Sequence, residues 1–129
     1  MRIYISGKIT GTTDYMKRFA EVEERLTKQG HEVVNPAKIN AMLPVGVSYD
    51  DYMKVCITLL DLCDTIYMMH GWEHSEGAAR ELSRAREIAK IKFVYYEDSP
   101  YSDRVLEKCG AIAEVLHKNE LLFVSAFAY

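Results

Sequence analysis

Four apolar residues in a row, Ile66 to Met69, run through a polar loop into a helix that Ser75 opens, and this unit sets the architecture. The run has strand length and carries β-branched and aromatic side chains. His70 to His74 is polar around Gly71 and Trp72, a loop at the carboxyl end of that strand. Ser75 is a residue type that caps helices. In open α/β sheets ligands bind in the crevice outside the carboxyl ends of the strands. The loop and the helix start are therefore the first place to seek a site.

The helix after Ser75 carries an oddity. At about 100° per residue, Ala78, Leu82, Ala85 and Ala89 share one face, with Arg80, Ser83, Arg84 and Glu87 opposite. Glu81 falls at the margin of the apolar stripe, beside Ile88. One reading is a rim glutamate that bends out to water, as long charged side chains do. The other is a carboxylate aimed into a cleft, as nucleophile or general base. There burial raises its pKa and a neighbouring donor lowers it.

The same alternation extends in both directions. Arg2 to Ser6 reads as a first strand with little polar alternation, as a strand covered on both faces would. Ser6 to Thr13 is a loop with Gly7 and Gly11, either an anion cradle or a plain turn that needs positive φ. It lacks the upstream glycine of a Walker A loop. Asp14 to Gln29 predicts a helix with the stripe Tyr15, Phe19, Val22 and Leu26, Thr13 or Asp14 at its start and Gly30 at its end. His31 to Asn35 predicts a strand that Pro36 stops, giving a parallel pair. Ala37 to Val47 shows no clear period and reads as a long loop. Ser48 caps a helix from Tyr49 to Leu62, with Tyr52, Val55, Cys56, Leu59 and Leu60 on its buried face and Cys56 as a core thiol.

Ile91 to Tyr96 predicts a fourth strand, and Asp103 to His117 a last helix that Cys109-Gly110 interrupts mildly. Lys118 to Glu120 is a polar turn. Leu121 to Tyr129 is unusually apolar, either a fifth strand or a tail that covers a partner subunit. The order predicts an α/β fold: a single three-layer sandwich with a mostly parallel sheet of about five strands, flavodoxin- or Rossmann-like.

The totals agree with one domain spanning residues 1–129, since 129 residues suffice for one core and not two. With 49% hydrophobic and 27% charged residues, the chain has a soluble composition. A net charge of −3 gives no reason to expect a nucleic-acid polymer as partner, but leaves small phosphorylated ligands open. Cys56, Cys63 and Cys109 form no CxxC pair and have no histidine at zinc spacing. Their odd number points to a reducing compartment, hence the cytoplasm. No signal-peptide plan opens the chain, and no apolar run reaches the roughly 20 residues a membrane helix needs.

Cys63 to Met68, then Gly71-Trp72-Glu73-His74-Ser75-Glu76-Gly77-Ala78, then Glu81 form a motif. With Ile3 to Gly11 and Val33 to Ala37, it resembles an uncharacterised bacterial and phage family. That family is related to the nucleoside 2-deoxyribosyltransferases and the nucleotide 5′-monophosphate N-glycosidases. The resemblance covers about residues 1–96. It implies cleavage or transfer at the N-glycosidic bond of a (deoxy)nucleoside 5′-monophosphate, with Glu81 as the nucleophile that forms a glycosyl ester. It further implies a substrate site of Tyr4, Gly7, Lys8, Gly11, Trp72, Ser75 and Gly77. Ser75 and Lys8 would take the phosphate, though Ser75 is equally an ordinary cap. Trp72 would stack on the base or fix the loop to the core.

No metal and no organic cofactor is implied. The family's enzymes complete their sites at subunit contacts, which implies a homo-oligomer. In them an aspartate stands eight residues before the position of Asp64, and here that place holds Cys56. A thiol is no substitute for a carboxyl acid, and Asp50, Asp51 and Asp61 are not at the matching place. A nucleotide-binding protein without turnover, a sensor or sequestering module, is therefore the alternative. An interaction protein with an idle site is a third.

Overall fold

A computed structural model describes residues 1–88, 93–97, 112–117 and 120–125. Its elements in chain order are β1 (Arg2–Ser6), α1 (Tyr15–Lys28), β2 (Glu32–Val34), α2 (Pro36–Met42), α3 (Tyr49–Asp61), β3 (Thr65–Met68), a 3-10 turn (Trp72–His74), α4 (Glu76–Glu87), β4 (Phe93–Tyr96), β5 (Ile112–His117) and β6 (Glu120–Ser125). The six strands form one sheet in the order β2-β1-β3-β4-β5-β6. β1 runs parallel to β2 and β3, and β3 parallel to β4. β5 and β6 are antiparallel additions on the β4 edge. The α/β class and the mostly parallel sheet are as expected, with six strands in place of about five.

Period-2 alternation in the central strands builds two cores. Ile3 and Ile5 of β1 and Tyr67 of β3 pack with Phe19, Val22 and Leu26 of α1. Tyr4 of β1 with Ile66 and Met68 of β3 point the other way, onto Cys56 and Leu60 of α3 and Ala78, Leu82 and Ala85 of α4. The sheet is thus covered on both faces, which is why its strands read as continuous apolar runs. Arg84 of α4 grips Asp61 of α3 with two hydrogen bonds, 3.0 and 2.9 Å, tying the two helices on one face.

Several local expectations are met at the helix ends. Ser48 accepts the Asp51 N–H and Ser75 accepts the Ala78 N–H, each at 3.1 Å. Gly30, just past α1, has φ +92°, the left-handed conformation of a helix stop. Asp14 stands at the start of α1 but makes no side-chain cap bond. On α3 the buried residues are Met53, Cys56 and Leu60, so the face is rotated toward Met53 relative to the expected stripe, with Val55 only half-buried.

Two expectations are overturned. Residues 36–42 form α2, not the start of a long loop. Pro36 does not merely end β2: it is the first residue of the helix, where a missing N–H costs nothing. The Asn35 side chain caps that helix by accepting the Ala37 N–H at 3.0 Å. The expected helix over Asp103 to His117 is wrong for its last six residues. Ile112–His117 is a strand, paired to β4 through Phe93↔Val115 and to β6 through His117↔Glu120. Ile112, Val115 and Leu116 fit a helical spacing as well as a strand, and only the distant partners decide between them. The apolar run Leu121 to Ser125 lies in β6, so of its two readings the strand holds; residues 126–129 lie outside the described residues, as do 98–111.

Candidate active site

β1 is followed by β2 on one side of it and β3 on the other, so the order of the sheet reverses at the β1–β3 boundary. Crevices open at the carboxyl ends of strands at such a point. Here a cavity of about 400 Å³ lies there. Its floor and walls come from the loop after β1 (Gly7 to Thr10), the end of the 3-10 turn with the cap and first turn of α4 (His74 to Ala78), Glu81, Pro36, and the α3 residues Tyr49, Tyr52 and Met53.

Glu81 is the buried acid of this cavity, with only 5% of its surface exposed. The side chain is thus turned into the cleft and not out to water. Tyr4 and Ser6 are two apart on β1 and share the face turned to α4. The Tyr4 hydroxyl donates to Glu81 Oε2, and the Ser6 hydroxyl donates to Oε1 at 2.8 Å. Burial pushes the Glu81 carboxyl up to about 7, while the Tyr4 and Ser6 hydrogen bonds pull it down. Tyr4 is held well above the usual phenol range, first by burial and then by the Glu81 charge. A carboxylate with a donor on each oxygen has its orientation fixed and keeps lone pairs for an electrophile.

Of the expected substrate residues, Gly7, Lys8, Ser75 and Gly77 line the cavity. Tyr4 is wholly buried and serves Glu81 from behind. Gly11 is not among the lining residues; with φ +81° it makes the turn of its loop. Trp72 does not line it either. Its ring lies 6.0 Å from that of Tyr96, and it packs on the core of the α3–α4 face. Of its two readings, the fixing of the loop is the one the contacts match.

Gly7 and Gly77 both lie close to neighbouring side chains. A Cβ on Gly77 would lie 3.2 Å from the Tyr49 hydroxyl and 3.4 Å from Met53 Sδ, contacts that small side-chain shifts in α3 would relieve. A Cβ on Gly7 would lie 2.9 Å from Met69 Sδ and 3.0 Å from Met69 Cβ. The second contact is with an atom fixed to the backbone. Gly7→Ala is expected to cost about 1–3 kcal/mol as an overpacked contact, read as a lowered urea midpoint; an unchanged midpoint contradicts this packing.

Cys56, 1% exposed, sits behind the cavity wall and not on it. It interacts with the hydroxyls of Tyr4 and Tyr52. Burial raises its thiol pKa, opposed by the Tyr52 contact. Burial, and next the Cys56 contact, push the Tyr52 phenol up as well. Asp50, Asp51 and Asp61 do not line the cavity, and Asp61 is taken up by Arg84. Sequence reasoning missed Ser6, although its i+2 relation to Tyr4 marks it. It also missed Tyr49, Tyr52, His74 and Glu76 as cavity residues. A second cavity, about 480 Å³, opens on the α1 side and shares Lys8 and His74 with the first. Among the described residues no group of three His, Cys, Asp or Glu side chains is placed to hold a metal, and no helix is long and apolar enough to cross a membrane.

A sheet with this switch point, and helices on both faces, defines a doubly wound α/β domain. The solved structure of the 2-deoxyribosyltransferase from the psychrotolerant bacterium Bacillus psychrosaccharolyticus matches with a TM-score of 0.60 and 17% sequence identity, over 77% of this chain and 74% of that one. No curated protein sequence matches. The chain itself belongs to the DUF4406 family, a domain of unknown function, whose model matches residues 1–95.

Proposed function

We propose that this chain cleaves or transfers at the N-glycosidic bond of a (deoxy)nucleoside 5′-monophosphate, with Glu81 as nucleophile. The observation that carries this reading is the buried Glu81 carboxylate on the cavity floor, held by Tyr4 and Ser6. The Glu81 oxygen attacks the anomeric carbon, the base departs, and water resolves the ester. Lys8, the Ser75 hydroxyl and the start of α4 are the proposed seat of the phosphate. Glu76 lines the same rim, so Lys8 must supply the favourable charge there. Tyr49 and Tyr52 offer aromatic surface for the base. The relation to the nucleotide N-glycosidases, a homo-oligomeric assembly and a cytoplasmic location belong to the same proposal.

The test is a panel of nucleosides and their 5′-monophosphates, with free base followed by chromatography. Base release is expected, faster from the monophosphates. Cys56, buried where a carboxyl acid is expected, favours a second reading: a nucleotide-binding protein without turnover. Saturable thermal shifts by the panel with no base released would select that second reading.

A further inference from the structure

The leaving base is the part of the reaction the cavity treats unusually. A neutral base departs as an anion unless an acid protonates it. Glu81 accepts hydrogen bonds on both oxygens, and in the reading above it is the nucleophile and not the acid. Cys56 lies behind the wall. Among the described residues that line the cavity, the other carboxyl group is Glu76, exposed at the mouth. Among the described residues that line the cavity, no carboxyl group other than Glu81 is buried.

The same wall suits a cation. Two carboxylates, Glu76 and Glu81, face the cavity together with the rings of Tyr49 and Tyr52. The Tyr49 ring already carries a flat cation, the Arg80 guanidinium, 5.6 Å from its centroid. Aromatic faces attract such ions, more strongly when water is excluded.

We propose that the preferred substrates are nucleotides whose leaving group is a quaternised aromatic heterocycle, an N-ribosylpyridinium or an N7-alkylated purine. This rests on the N-glycosidic reading above. A Glu81 oxygen forms a bond to the anomeric carbon, the bond from that carbon to the cationic nitrogen breaks, and its electron pair neutralises the nitrogen. The base leaves neutral, and no proton is consumed. Water then attacks the anomeric carbon of the ester, the bond to Glu81 breaks, and the water's proton passes to the freed carboxylate and on to solvent. Lys8 balances the phosphate and the carboxylates balance the base, so the cavity fits a zwitterionic nucleotide.

The experiment compares N7-methylguanosine 5′-monophosphate with guanosine 5′-monophosphate, and includes nicotinamide mononucleotide, at one pH with enzyme-free blanks subtracted. The wild-type protein is used, so folding of a variant is not at issue. The expected result is a kcat/KM at least about tenfold higher for both cationic substrates, whose leaving groups need no proton. A smaller ratio, with base released from the neutral nucleotide, overturns this proposal and leaves the N-glycosidic reading intact. Release from no member of the panel overturns both.

Discussion

Glu81→Gln is expected to lower base release at least about a thousandfold, while nucleotide binding, read by thermal shift, persists. The amide has the size of the carboxyl group. Its oxygen can accept from Tyr4, and its NH2 can donate to the Ser6 hydroxyl oxygen, so both buried partners of Glu81 stay satisfied. What is lost is the charged oxygen that, in the proposed reaction, bonds the anomeric carbon. Glu81→Ala tests the same point less cleanly, because it leaves two buried hydroxyls without an acceptor, at about 1–3 kcal/mol each. Turnover in the glutamine variant within tenfold of wild type would remove Glu81 from the mechanism.

Activity and stability are expected to run in opposite directions with pH, and for one cause. Burial raises Glu81 from its ordinary 4.5 to about 7. Below about 4.5 the carboxyl is protonated in both folded and unfolded chains, and its contribution to stability is fully present. As pH rises toward about 7 the unfolded chain releases the proton and the folded one keeps it, so stability falls. The whole loss is about 3 kcal/mol for a shift of this size, complete once the folded carboxyl ionises. In the proposed reaction, however, the nucleophile is the ionised form. kcat/KM is therefore expected to climb about tenfold per pH unit up to about 7 and then level. Urea unfolding at several pH values checks the first statement, because Glu81→Gln removes the titration. Parallel stability profiles for wild type and variant between pH 4.5 and 7 would show that this ionisation is not what the fold resists.

The nearest-neighbour chemistry is legible in the amino-acid sequence. Ser48 and Ser75 cap because a hydroxyl one residue before a helix reaches an N–H within its first turn, and that requires nothing distant. Asn35-Pro36 is an equally local start signal, and reading proline only as a strand stop concealed α2. Glu81 was legible as an anomaly, a carboxylate at the edge of an apolar stripe. Whether it turned out to water or in to the sheet was not, since the answer depends on Tyr4 and Ser6, more than seventy residues away.

Trp72 marks the limit from the other side. A tryptophan in a loop at a strand end suits base stacking and core anchoring alike, and its ring lies by Tyr96 because β4 is the neighbour of β3. Ile112–His117 shows the same limit in the backbone, with one apolar spacing that serves either helix or strand until β4 and β6 supply hydrogen-bond partners.

The alternation of strand and helix, the caps and the residue types available for chemistry were thus written in short stretches of chain, because propensity, capping and periodicity act over a few residues. Strand order, the meeting of Glu81 with Tyr4 and Ser6, the withdrawal of Cys56 behind the wall and the antiparallel edge came from packing. Each of these depends on contacts between segments far apart in the chain, whose formation is governed by burial and pairing of the whole sheet and not by any window of sequence.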